Sequence, residues 1–390
     1  MFNIRGIQLY DGRWNNPYDS AKGRQAIDEL VATIPHCNYL YLDVWMTIDS
    51  IDNVAWTNKT ALEAAINYAR TKGLKIAFRC MTYNLTDLTF LPVNAQTFFI
   101  NYTAVLEEIA TYAQSKGVEV LGIGTELEKI DTYQAEWNNA IAKVRAKYNG
   151  KVFYTTNFFA SQAQFDKKLT LNWFKNLDYL CVSAYFPLTA TTDFIYPTAT
   201  GGALNPAPKY IFPATPDVNT LKAAYMAYPQ WGGDSTKSFK GSNVIALLQQ
   251  LSEAIGKKLI FHMGLGSYHS ACATPWSYKP YYTPAGGTQT QKPIDLEGQK
   301  NMYQAFFEVF SQTTFADGWL LDGAWLTIPL AEKSGNNVEF SIQNKPAAPY
   351  IEFAYENLSP PIEPSNNAGL LIIAATIIAI VIVLGMRKGG

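Results

Sequence analysis

The chain is poor in the residues that metal, redox and nucleic-acid chemistry need. It has three histidines and four cysteines in 390 residues. The cysteines, Cys37, Cys80, Cys181 and Cys272, stand far apart with no C-x-x-C pair, so the spacing of a zinc or redox centre is absent. They read as small buried apolar side chains, and a Cys37–Cys80 disulfide would require the fold to bring the two together. Charged residues make up 16% and the net charge is -1, with no basic run outside the C-terminal tail. That argues against a phosphate-binding surface, and so against nucleic acid as a partner. No glycine-rich turn follows the first apolar run, which leaves a dinucleotide fold without its anchor. Neither a cofactor nor a metal is expected. The N-terminus, MFNIRGIQLYDG, has no apolar stretch of the signal-peptide kind.

What the sequence has in quantity is apolar and aromatic side chains, 48% and 14% of the chain. Much of this belongs to a large core. Residues 368–386, AGLLIIAATIIAIVIVLGM, form an uncharged apolar run followed by Arg387 and Lys388. At ~1.5 Å per residue such a run approaches the ~30 Å thickness of the hydrocarbon layer, so it predicts a transmembrane helix and lipid as a partner. The tail 387–390, with its basic pair, follows the span and Glu356 and Glu363 precede it, which places the tail in the cytoplasm and the rest outside, on a cell or virion surface. Without a visible signal peptide, a tail-anchored chain with its bulk in the cytoplasm stays open. Sequons at Asn58, Asn84, Asn101 and Asn357 fit the outside location.

From residue 1 to about 355, short β-rich runs alternate with longer amphipathic ones. Strands are predicted at 4–9, 39–45, 75–80, 120–124, 152–156, 179–184, 258–263 and 320–325. Helical patterns are clearest at 60–72, 95–116, 132–148, 243–255 and 296–310. Eight strands alternating with helices are the count of a closed (β/α)₈ TIM barrel over 1–355, with a doubly wound sheet as the alternative. Residues 356–367, ENLSPPIEPSNN, read as a stiff proline-containing linker. Two long connections, about 186–241 and 264–293, follow strands and so belong to the C-terminal face, where barrel active sites are built.

The fourth strand ends in LGIGTELE, residues 121–128. A carboxylate at that tip, Glu126, is placed to act as a general acid, its pKa raised by burial. The other reading is a surface glutamate opening the next helix.

Three longer stretches carry a resemblance: VLEEIATYAQSKGVEVLGIGTELEKI (105–130), WNNAIAKVRAKYNGKVFYTTNF (137–158) and LDYLCVSAYFPL (177–188). With PWSY (275–278) and IDLEGQKNMYQAFF (294–307), they resemble glycoside hydrolase family 113, the barrel β-mannanases of a retaining clan. The resemblance spans about residues 4–325. It implies a polysaccharide or glycan as partner, with Glu126 at the acid/base position. It implies substrate-binding roles for Asn157, Tyr185, Trp276 and Trp325, although core packing explains the aromatics as well.

The chain also departs from the family pattern. The family's second carboxylate, the nucleophile, ends the seventh strand in a pattern like IFTEIGYRS. Here the stretch reads LIFHMGLGSY, residues 259–268, and the position falls on Met263 or, with a shifted gap, Gly264. Neither has a nucleophilic oxygen. Ser183 stands where the family has an acidic residue, and Phe158 where it has tryptophan. No Asp or Glu lies between Glu253 and Asp295, so Asp322 and Asp43 are the candidate second carboxylates, and either suits an inverting scheme. His262 and His269 flank the altered position, but two histidines without a third convergent ligand fit packing or hydrogen bonding better than zinc. Three functions follow as expectations: glycan recognition with retaining hydrolysis lost or altered, an active β-glycosidase using Glu126 and Asp322, and an architectural surface protein.

Overall fold

The structure is a computed structural model describing residues 2–10, 18–49, 52–82, 90–190, 194–196, 209–229, 240–275, 280–283, 288–359 and 361. The eight expected strands are present: β1 (Ile4–Tyr10), β2 (Tyr39–Ile48), β3 (Lys75–Thr82), β4 (Val120–Thr125), β5 (Lys151–Thr156), β6 (Tyr179–Ser183), β7 (Leu259–Met263) and β8 (Ala316–Leu326). Each pairs in parallel with the next, and β1 pairs with both β2 and β8. The sheet therefore closes into a (β/α)₈ barrel. β2 runs past its predicted end and is met antiparallel by Val54–Trp56.

Helices return the chain between strands for local reasons that the sequence supplies. Ser20 caps α1 (Ala21–Thr33), Asn94 caps α3 (Ala95–Ser115) and Asn243 caps α7 (Val244–Ile255), each accepting from a first-turn N–H. α7 ends on Gly256 at φ 66°, a left-handed stop that a glycine takes without strain. Each helix buries one stripe against the barrel: Leu62, Ala65, Ile66 and Ala69 in α2 (Lys59–Thr71), and Val244, Leu248, Leu251 and Ile255 in α7. α4 (Gln134–Arg145) and α8 (Leu296–Phe310) match predicted patterns. α1, α5 (Gln162–Leu169), α6 (Val218–Met226) and α9 (Ala347–Asn357) lie outside the clearest ones. α5, α6 and α9, at 8, 9 and 11 residues, are shorter than any of the helices that match a predicted pattern. The first long connection thus contains α6, together with an antiparallel pair, Phe194–Tyr196 with Lys209–Ile211. The second carries a 3₁₀ turn, Ala271–Ala273, and a second short pair, Tyr281–Tyr282 with Thr290–Gln291.

All four cysteines are free and buried. The 368–386 run lies outside the described residues, as does Asn84; among the described residues no helix is long and apolar enough to cross a membrane. The amide of Asn58 is already engaged, donating to the Asp43 carbonyl at 2.9 Å and accepting from Trp45 and Trp56.

Candidate active site

The barrel interior changes character along its axis. Its floor is apolar, built from Ile4, Tyr41, Ala77, Val120, Phe153, Cys181, Ile260 and Leu320, one from each strand. Gly122 makes room for the Phe153 ring, whose Cζ would lie 2.5 Å from a Cβ at 122. Above this floor the inward positions become polar: Gln8 on β1, Asp43 on β2, Arg79 on β3, Ser183 on β6, His262 on β7 and Asp322 on β8. All but Asp322 are almost fully buried, and the Asp322 side chain keeps 22% of its surface exposed. Buried polar groups at this density persist only when hydrogen-bonded to one another.

The bonds are specific. Arg79 donates through Nε to Asp43 Oδ1 at 2.7 Å and through Nη2 to Asp43 Oδ2 at 3.1 Å and Asp322 Oδ1 at 2.8 Å. Its Nη1 meets His262 Nε2, and its guanidinium lies 5.0 Å over the Tyr41 ring. Gln8 donates to Asp43 Oδ2 at 2.6 Å and accepts from the Gly323 N–H. Tyr185 donates to Asp322 Oδ2 at 3.2 Å and accepts from the Gly264 N–H at 3.1 Å.

Glu126 completes the ring from the end of β4. Its backbone sits at φ 54°, a left-handed conformation that costs a non-glycine residue on the order of 1–3 kcal/mol. The surroundings enforce it: Glu126 N–H donates to Thr155 O at 2.8 Å, and Leu127 N–H to the Tyr154 hydroxyl at 2.8 Å. The Ser183 hydroxyl donates to Glu126 Oε1 and lies 3.3 Å from His262 Nδ1. Glu128, two residues on, is instead tied to the buried Lys168 at 3.2 Å.

The two carboxyls are driven apart in acidity. Burial raises Glu126 above the ordinary carboxylate range, and the Ser183 bond and the Arg79 charge only partly offset this. Asp322 is also pushed up by burial, but the Arg79 guanidinium is the largest opposing influence, and the carboxyl lies well below the usual range. Burial thus favours the protonated form of Glu126, while Arg79 favours the anion of Asp322, the pattern of an acid beside a fixed negative charge.

Of the residues named from sequence, Glu126, Asp43, Tyr185 and Asp322 converge here with His262. Asn157 follows β5 and is buried, its Oδ1 accepting from the Phe158 N–H at 2.9 Å. Trp325 has no exposed surface and packs in the core shared with the helices, in register with Leu9. Met263 lies in that same outer core. Trp276 lies outside the described residues. His269 does not join His262; its Nδ1 meets Phe212 O at 2.8 Å. Sequence reading passed over Gln8 and Arg79. The signal for Arg79 was present: a lone charge inside an apolar strand, as in IAFRCM, points into a barrel.

Comparison with known proteins bears on this geometry. The profile of Glycoside Hydrolase Family 113 matches residues 11–203. That span contains β2 to β6, and so Glu126, Asn157 and Tyr185. Among solved structures, the family 113 β-mannanase AaManA from Alicyclobacillus acidocaldarius, in complex with ManMIm, superposes with a TM-score of 0.65 at 16% identity, covering 92% of this chain and 98% of that one. A family 113 β-1,4-mannanase complex gives 0.63 at 16% identity, covering 91% and 99%. A β-glucuronidase from Ruminococcus gnavus gives 0.55 at 11%, covering 91% of this chain and 50% of that chain. No curated protein matches the sequence. The profile is a likeness to family 113 over just under half of the chain, and the solved structures show the barrel fold.

Proposed function

We propose that the chain is a family 113 protein whose barrel mouth binds a β-linked, mannan-type polysaccharide, with retaining hydrolysis lost. The observation that carries this reading is the contrast between two strand ends. At β4, Glu126 is kept in strained backbone with a raised proton affinity. At β7, the inward position holds His262, Met263 faces the outer core, and Gly264 has no side chain. A retaining mechanism needs a second carboxylate ~5–5.5 Å from the first. Asp322 is a poor general base, because Arg79 holds it ionised far below the pH at which a base works well. The mannan class is suggested by the β-mannanases that share the fold. We place the barrel on a membrane through residues 368–386, at a cell or virion surface.

The second reading is hydrolysis by Glu126 with Asp322 as the partner. It is favoured by the split in acidity, since a protonated acid beside an ionised carboxylate is also what glycosidases use. One experiment separates the two: calorimetric titration with β-1,4-mannooligosaccharides beside a reducing-sugar assay, on wild type, Glu126→Gln and Asp322→Asn. Saturable binding without cleavage is expected. Turnover abolished by both substitutions would establish the second reading, and absence of binding would sink both.

A further inference from the structure

Four groups stand in line across the mouth: Arg79 Nη1, the His262 ring, the Ser183 hydroxyl and the Glu126 carboxyl. Every link requires one donor and one acceptor, and Arg79 can only donate. Its Nε and Nη2 are spent on Asp43 and Asp322, and Nη1 has His262 Nε2 as its acceptor. Asp322 Oδ1 also lies 3.2 Å from Nε2 and would accept a proton from it. A proton there would turn Nη1, buried and charged, against another donor, whereas Asp322 Oδ1 already has Nη2 at 2.8 Å. Nε2 is therefore the acceptor, and the neutral ring carries its proton on Nδ1. Nδ1 then donates to Ser183 Oγ across 3.3 Å. The single hydroxyl proton of Ser183 is left for Glu126 Oε1.

We infer that Arg79, His262 and Ser183 form a one-way relay that fixes Oε1 of Glu126 as an acceptor and leaves Oε2 as the oxygen bearing the transferable proton. Ser183 and His262 are then positioning residues for that acid, an assignment that rests on the reading of Glu126 given above. Where the family pattern has an acidic residue, Ser183 supplies a neutral donor whose direction is set from β3. The other titratable groups that bear on Glu126 are Glu128, Tyr154, Lys168, Cys181 and Tyr185. None of them donates to Oε1.

The direct test is a two-bond ¹H–¹⁵N correlation on the histidine-labelled intact chain at neutral pH. His262 should show a protonated Nδ1 and a bare Nε2; the reverse tautomer or an imidazolium would overturn the relay. In Ser183→Ala, the loss of a donor to the charged form should raise the Glu126 midpoint, followed through its ¹³C-labelled carboxyl, by about one pH unit. Ser183→Thr should bring it back, and a midpoint that ignores both substitutions contradicts the proposal. Should Ser183→Ala fail to fold, the wild-type tautomer still decides. The tautomer is independent of sugar binding: Nδ1-protonated His262 in a chain that binds no mannan keeps the relay and removes the glycan reading.

Discussion

Asp43 and Arg79 are register partners on neighbouring parallel strands, so both side chains enter the barrel at one height and meet in a two-point ion pair of 2.7 and 3.1 Å. The pair is almost wholly buried, and its desolvation is offset by Gln8, Asp322 and His262 as further partners. Removing only the cation strands Asp43. Arg79→Met should therefore destabilise the chain by about 3–5 kcal/mol, read as a shift of the urea midpoint. A loss below about 1 kcal/mol, the scale of an exposed pair, would mean that water reaches Asp43.

The split acidity of Glu126 and Asp322 makes stability depend on pH in opposite senses. Glu126 is raised in the fold, so its stabilising contribution is present below the ordinary carboxylate range and lost as pH rises through the folded value. Glu126→Gln should thus be more stable than wild type at neutral pH, with the gain vanishing in acid. Asp322 is depressed, so its contribution is full above the ordinary range and lost only as pH falls toward the folded value. Asp322→Asn should lose stability at neutral pH, with the deficit shrinking in strong acid. Thermal midpoints measured from pH 3 to 8 check both signs.

Restoring a carboxylate at the end of β7 should not restore catalysis at either position that the sequence suggests. Met263 packs in the apolar layer between barrel and helices. Met263→Glu would bury an unpaired carboxyl there, destabilising by roughly 2–5 kcal/mol. At Gly264 an added Cβ would lie 2.5 Å from the Asp322 carbonyl oxygen, so the backbone itself would have to move. Mannan cleavage by Met263→Glu with an unchanged melting temperature would show that this strand end rotates to face the cleft.

Two tryptophans should behave differently. Trp276→Ala is expected to weaken mannooligosaccharide binding by about 1–3 kcal/mol with the melting temperature unchanged. Trp325 is fully buried in the outer core. Trp325→Ala should chiefly cost stability, about 3–5 kcal/mol, and calorimetry beside thermal unfolding distinguishes the two effects.

The barrel was legible in the sequence because alternation is local: β-rich runs at 4–9 through 320–325 recur between amphipathic stretches, and each needs only its own periodicity to be recognised. Glu126 was legible for the same reason, standing one residue past a strand that ends in GIGT. Local pattern could not say which way the end of β7 faces. That depends on the register of β7 against β6 and β8, which turns His262 into the mouth and Met263 away from it. Nor could sequence show that Trp325 is covered, or that Arg79, His262 and Ser183 lie in line. Strands β3, β7 and β6 are brought together only by closure of the barrel, and a hydrogen bond is decided by distances of a few tenths of an ångström that no spacing along the chain encodes. The sequence alone determined which chemistry the strand ends carry; the closed sheet decided which of those groups meet.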